Sequence, residues 1–183
     1  ASAAQHDVAK EEARQTRAVR PEWDMGALLE AQLLMREAPQ QALAELKKYL
    51  ASYPDANEVR LFYARALLEQ RQYPESRVQF QKLQQQHPDN AELALAVAML
   101  SLQMGELDRA EEELQKSLRA GKKDNATVYY YLAQLNEAKK NDAVALQQYG
   151  LVKTGEYVYP SRLRMAYLLN KTGRLKEARE VLQ

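Results

Sequence analysis

Apolar side chains recur along this chain in steps of three and four residues, the spacing that lines one face of an α-helix. No segment alternates apolar and polar residues as a half-buried strand would. Leu28, Leu29, Leu33 and Leu34 form such a stripe between Met25 and Arg36. Pro39 can open the next helix, because a first-turn proline forfeits no intrahelical hydrogen bond. That helix carries Ala42, Leu43, Leu46 and Leu50 to about Tyr53, where Pro54-Asp55 ends it. Asp55 or Asn57 is expected to cap the helix that follows.

The plan then repeats. Val59, Leu61, Phe62, Ala64, Leu67 and Leu68 predict one helix, and Pro74 opens a partner carrying Val78, Phe80 and Leu83. Leu93 to Met104 runs into Gly105, a helix terminator, before Leu107, Ala110, Leu114 and Leu118. Asp124-Asn125 caps a helix with Val128, Tyr129, Leu132, Ala133 and Leu135. Its partner holds Ala143, Leu146, Tyr149 and Val152 and ends at Gly155. A last pair runs from about Ser161 to Thr172, turns at Gly173 and resumes with Leu175, Ala178 and Leu182.

Laid over one another, these pairs share a register. Ala42, Ser76, Ala110, Ala145 and Ala178 stand 34, 34, 35 and 33 residues apart. Four residues after each comes a larger side chain: Leu46, Phe80, Leu114, Tyr149 and Leu182. Twelve residues before the last four comes another alanine: Ala64, Ala98, Ala133 and Ala166. A small residue on each of two helices, with a bulky one a turn later, lets paired helices approach closely. A period of this length marks stacked helical hairpins. The expected class is all-α, an α-α superhelix built as a right-handed solenoid of antiparallel hairpins. The expected divisions are residues 1–22 (second helix of a preceding unit), 23–56, 57–90, 91–125, 126–158 and 159–183. The first of these rests on Ala9, Ala13, Thr16 and Pro21, which keep the spacing of Ser76, Phe80, Leu83 and Pro88. With the chain stopping inside a second helix, the piece reads as a window on a longer array.

Composition narrows the function. With 26 Lys and Arg against 25 Asp and Glu, the net charge is +1. That balance provides no concentrated basic surface to displace counterions from a duplex, so nucleic acid is not an expected partner. There is no cysteine, which removes disulfides, thiolate metal sites and Cys nucleophiles. No apolar run approaches the roughly 18 residues of a membrane helix. His6 and His87 have no serine in a glycine elbow and no cysteine partner, so neither a triad nor a zinc site is indicated. A glycine-rich phosphate loop is also missing. Glu111-Glu112-Glu113 with Lys116 reads as a solvated helix face. The expectation is no enzyme, no cofactor and no metal.

These columns resemble the tetratricopeptide repeat family over residues 8–183, best in Ala98, Gly105, Ala110 and Leu114 with "MGELDRAEEEL". Ala64, Ser76, Phe80, Pro88 and Ala166, Gly173, Ala178, Leu182 match nearly as well. Three departures stand out. Glu30 occupies the place of the packed alanine, unless Ala31 takes it by a one-residue shift. The aromatic of the first helix is present only as Tyr129. Arg71 and Lys140 stand where Gly105 and Gly173 do elsewhere.

The resemblance implies a concave surface, lined by the first helix of each hairpin, that binds a peptide or helical segment of another protein. It carries the groove positions onto Leu61 and Arg65, Leu95 and Met99, Tyr130, Gln134 and Glu137, and Leu163, Tyr167 and Asn170. Leu61, Leu95 and Leu163 are expected to pack between hairpins, and Arg65, Met99, Tyr130, Gln134 and Tyr167 to meet a ligand. Ala27 and Ala31 stand where the chaperone-tail binders of the family carry carboxylate-gripping side chains, so an apolar segment is the expected ligand, oriented by Arg65 and Glu137. Tyr129 is expected inside its hairpin, and Tyr157 and Tyr159 over a hairpin junction. The implied role is a non-catalytic interaction scaffold. The alternatives are the regulatory or substrate-presenting arm of a larger enzyme and self-association of stacks. Phrases such as "LLNKTGRLKEAREVL" resemble long multi-repeat proteins of Gram-negative bacteria, which favours a periplasmic or outer-membrane-associated location over the cytoplasm.

Overall fold

Helices alternate with short turns from Asp24 to Val181 in the computed structural model, which describes residues 8, 11, 12, 15, 22–121 and 125–183. Ala9, Ala13, Thr16 and Pro21, which carry the expected helix ahead of the first hairpin, lie outside the described residues, as do Asp124 and His6. No strand occurs among the described residues. Two units divide the chain, Ala1–Gln86 and His87–Gln183.

The first unit holds α1 (Asp24–Met35), α2 (Pro39–Ser52), α3 (Asn57–Glu69) and α4 (Tyr73–Gln86). Pro39 is the first residue of α2 and Pro74 the second of α4, both in the turn where a missing N–H costs nothing. The core gathers Ala27, Ala31, Leu43, Leu46, Tyr49, Val59, Tyr63 and Leu67. Ala31 is 2% exposed while Glu30 is half-buried, so the helix turns by one residue and Ala31 fills the packed place. Trp23 lies over Gly26, where a Cβ would meet its ring at 3.1 Å.

Ser76 and Arg60 are buried inside this unit, and both are satisfied. Ser76, 0% exposed, donates its hydroxyl to the Ala64 carbonyl at 2.7 Å, tying α4 to α3 at their crossing. Arg60 occupies the column that is aromatic at Tyr129. Its buried guanidinium donates to Gln79 Oε1 at 2.8 Å and to the Pro54 carbonyl. A buried donor that finds acceptors avoids its desolvation penalty. Asp55 and Asn57 are not caps. Ala56 precedes α3, and Asn57 is already its first helical residue.

The second unit holds α5 (Ala91–Gln103), α6 (Leu107–Arg119), α7 (Ala126–Ala138), α8 (Asp142–Gly150), α9 (Val158–Lys171) and α10 (Leu175–Val181). Asn90 caps α5 by accepting from the Glu92 and Leu93 amides at 2.9 and 3.2 Å. Asn125 precedes α7 without such a bond. Ala98 and Ala110 meet at zero exposure where α5 crosses α6, as do Ala133 and Ala145 where α7 crosses α8. Ser117 donates to the Ala91 carbonyl at 2.8 Å. Helix α8 stops at Gly150, five residues before the expected Gly155, and buried Val152 follows it outside the helix. Glycine's low helix propensity favours the early stop. Helix α9 starts at Val158, so Tyr159 and Pro160 belong to its first turn and not to a loop.

One turn geometry recurs in both units. Gly105 and Gly173 hold φ of 75° and 77°, and Arg71 and Lys140 stand at 58° and 61° in the same left-handed region. At each, the next residue's amide reaches the carbonyl five residues back: Gln72 to Leu67, Glu106 to Ser101, Asn141 to Asn136, and Arg174 to Leu169, all at 2.8–2.9 Å. The inner bond, from the left-handed residue to the carbonyl three back, is present at each as well. This paired closure satisfies two helix-end carbonyls and demands positive φ. Arginine and lysine adopt it against their Cβ clash, which costs on the order of 1 kcal/mol. Lys140→Gly should therefore raise stability by about 0.5–1 kcal/mol, and Gly105→Ala should lower it by about 1 kcal/mol, read as opposite shifts in thermal midpoint. Ala110→Leu should destabilise by about 1–3 kcal/mol through overpacking of the α5–α6 crossing, read by urea denaturation.

Candidate functional site

Successive residues of a helix point about 100° apart, and the Tyr129-Tyr130-Tyr131 run of α7 is divided accordingly. Tyr129 and Tyr131 pack against the Ala98–Leu114–Leu132 core, and Tyr130 turns to the next one, beside Tyr149, Met165 and Leu168. Tyr157, just ahead of α9, completes the cluster. It stacks on Tyr130 with ring centres 4.4 Å apart at 20°, and its hydroxyl lies 3.2 Å from that of Tyr131. Tyr157 thus covers a hairpin junction as expected, whereas Tyr159 is 68% exposed.

A turn further along α7 the surface becomes polar. Gln134 donates to the Tyr130 hydroxyl at 2.8 Å. Glu137 receives the Tyr149 hydroxyl at 2.9 Å and Arg164 Nε at 3.1 Å on one oxygen, while the other accepts the second arm of Arg164. The Arg164 guanidinium also lies 5.0 Å from the centre of the Tyr167 ring, a cation–π contact. Gln134, Glu137, Ala138, Tyr149 and Arg164 line a cleft of 410 Å³ between α7 and α9.

The other expected positions fall as follows. Leu61 is half-buried and Arg65 exposed on α3 of the first unit. Ala27 and Ala31 are buried there in the core. In the second unit Leu95 packs on the core of its hairpin, and Met99 is 36% exposed. Leu163 is exposed, unlike its column-mates Leu61 and Leu95; Tyr167 is 56% exposed, and Asn170 is also open. The structure brings Tyr130, Gln134 and Glu137 together on one helix and sets Tyr167 beside them through Arg164.

Arg164 and Tyr149 were not anticipated as members of this cluster. Tyr149 sits in a column otherwise filled by Leu46, Phe80, Leu114 and Leu182, and its hydroxyl among apolar equivalents was the available signal. Burial, then the neighbouring Tyr130, pushes the Tyr149 phenol up from its ordinary range. Burial first and the Tyr157 hydrogen bond second do the same for Tyr131. Both stay neutral at physiological pH, so Tyr149 remains a donor to Glu137.

A second set of ionic contacts fastens neighbouring hairpins. Lys139 bonds Asp108 at 2.9 Å and Glu111 at 2.7 Å, and Lys171 bonds Asp142 at 2.6 Å. These carboxylates raise the pKa of each lysine. Among the described residues no group of His, Cys, Asp and Glu could hold a metal ion, and no helix is long and apolar enough to cross a membrane.

The family model for the tetratricopeptide repeat matches residues 33–100 and 67–135, two placements that together span more than half of the chain. The chain belongs to the tetratricopeptide repeat family. Its fold is an α-α solenoid of helix hairpins, shared with solved structures of low sequence identity. A structure of PilF from Pseudomonas aeruginosa is 24% identical with a TM-score of 0.72, over 98% of this chain and 80% of that one. A tetratricopeptide repeat protein from Parabacteroides merdae is 15% identical at 0.74, over 96% and 70%. PilW, described as a widely conserved type IV pilus biogenesis factor, is 17% identical at 0.71, over 96% and 82%. No curated protein matches by sequence.

The raised tyrosines have a linkage consequence. A phenol whose folded pKa exceeds its unfolded value contributes stability below about pH 10 that is lost as the pH climbs above it. In a spectrophotometric titration Tyr131 and Tyr149 should ionise last, together with loss of helical circular dichroism. Tyr149→Phe should reduce that late-ionising fraction.

Proposed function

We propose that this tetratricopeptide repeat protein is a non-catalytic scaffold, and that the face formed by α5, α7 and α9 of its second unit binds a peptide or helical segment of another protein. The observation that carries this reading is the cleft between α7 and α9. Tyr149, Gln134, Glu137, Ala138 and Arg164 line it, and the half-exposed ring of Tyr167 lies 5.0 Å from the Arg164 guanidinium. Aromatic, methionine and arginine side chains provide large contact area at modest ordering cost and recur among binding hot spots. Met99 on α5 and Tyr167 on α9 are the exposed anchors. Gln134 supplies amide hydrogen bonding, and half-buried Leu95 and Tyr130 support the surface from beneath. In the first unit Arg65, beside Leu61, is the contact residue of the same column.

The site's groups are occupied with one another in ways suited to recognition and not to turnover. Glu137 is held by Tyr149 and by both arms of Arg164, and His87 is exposed beside Pro88. We also propose a periplasmic or outer-membrane-associated location, supported by the fold shared with a type IV pilus biogenesis factor. Affinity capture from the source cell, quantified by mass spectrometry, tests the binding reading. Met99→Ala, Gln134→Ala and Tyr167→Ala combined should cut the captured partner at least tenfold with the helical signal unchanged. Equal capture by the wild type and the triple variant would remove this face from consideration.

A further inference from the structure

The two sides of the ion pair in the α7–α9 cleft are unequally held. Glu137 has a side chain only 14% exposed, and its carboxylate is pinned by the hydroxyl of Tyr149, itself 1% exposed. Tyr149 is in turn set by its place beside Ala133, Ala145 and Leu168. Arg164 is the opposite: its side chain is 45% exposed, and it reaches the carboxylate from the surface of α9 by a long flexible stem. The acceptor half of the pair is therefore a preformed part of the fold, and the cationic half is an occupant that faces solvent.

The receptor half has the composition that recognises a planar cation. A carboxylate presents two oxygens to the two arms of a guanidinium, which is the fork geometry that makes arginine specific over lysine. The Tyr167 ring supplies a π face at 5.0 Å from the guanidinium carbon. Tyr149 holds the carboxylate in place, and Gln134 lines the same 410 Å³ cleft. Arg164 satisfies every element of that set from within the chain.

We propose that the Glu137–Tyr149–Tyr167 cluster is a guanidinium site, filled by Arg164 at rest and taken over by an arginine side chain of the bound segment. This rests on the reading of the α5/α7/α9 face as a partner surface and names the chemistry of one anchor on it. Exchange costs little, because the incoming arginine restores the bidentate bonds and the ring contact, and Arg164, already half in water, swings out to solvent. Because one guanidinium replaces another, the exchange adds selectivity for arginine more than affinity, and the neighbouring exposed aromatic and methionine anchors supply the rest.

The assignment is testable with a small probe and the full chain. Ethylguanidinium is titrated against wild type, Arg164→Ala and Arg164→Gln, following the ring resonances of Tyr149 and Tyr167 by NMR. Circular dichroism confirms that each variant is folded. Saturable shifts at both rings are expected in the two variants, with an apparent Kd at least tenfold lower than in wild type. Adding Glu137→Gln should abolish them. Ethylammonium should bind at least fivefold more weakly than ethylguanidinium, and ethylurea, planar but uncharged, should give no saturable shift. Retention of the shifts in either variant alone suffices if the other unfolds. Equal affinity in wild type and variants, shifts that persist without Glu137, or ethylammonium binding as well as ethylguanidinium would each overturn the assignment. The titration needs no natural partner, so its failure condemns the guanidinium site alone. Unchanged partner capture by the triple variant of Met99, Gln134 and Tyr167 would instead condemn the binding face.

Discussion

Close approach of two helices at a residue with almost no side chain is the constraint on which this fold depends. Where α5 crosses α6, Ala98 and Ala110 leave no exposed surface, and where α7 crosses α8, Ala133 and Ala145 do the same. Neither helix can rotate or slide without driving a larger side chain into the contact, because interiors pack at crystal-like density. The bulky residue a turn later, Leu114 or Tyr149, then fills the widening space beside the crossing and reaches the next hairpin's first helix. At the α3–α4 crossing Ser76 adds a hydrogen bond to the same arrangement without adding bulk. Packing within a hairpin and packing between hairpins are thus decided by residues four apart on one helix.

That rule explains which parts of the structure could be read from the sequence. Small residues at a fixed period determine where helices cross, so the hairpins and their order followed from the spacing, and the turns at Gly105 and Gly173 from the glycines themselves. Helix ends were less legible. At Arg71 and Lys140 the backbone adopts the glycine conformation without glycine, since the closing hydrogen bonds outweigh the strain of a Cβ. The end of α8 was misplaced because Gly150 and Gly155 are both plausible stops, and burial of Val152 beyond the helix decides between them. Arg60 shows the converse limit: a charged side chain stands in the column of Tyr129 and is buried because the Pro54 carbonyl and the Gln79 amide oxygen receive it.

The candidate site was legible by column and not by contact. Tyr130, Gln134 and Glu137 share a face because they lie three and four residues apart on α7, which any helix would impose. What Glu137 touches depends on α8 and α9, and those partners are set by tertiary packing. Periodicity carries no information about a hydroxyl arriving from a neighbouring helix, or about an arginine reaching over from the next hairpin. Leu163 illustrates the same limit. Its column predicted packing by analogy with Leu61 and Leu95, but burial depends on what lies opposite, and among the described residues its side chain stays open.

Trp23, resting on Gly26 at the start of α1, is the chain's single tryptophan and belongs to the first unit. The second unit contains no tryptophan, and Tyr131, Tyr149 and Tyr157 gather there around Tyr130. Emission excited at the red edge of the absorption band therefore reports the first unit by itself, whereas tyrosine signals come from both units. Set against circular dichroism, which sums the helices of both units, that single indole separates the unfolding of the first unit without introducing any dye.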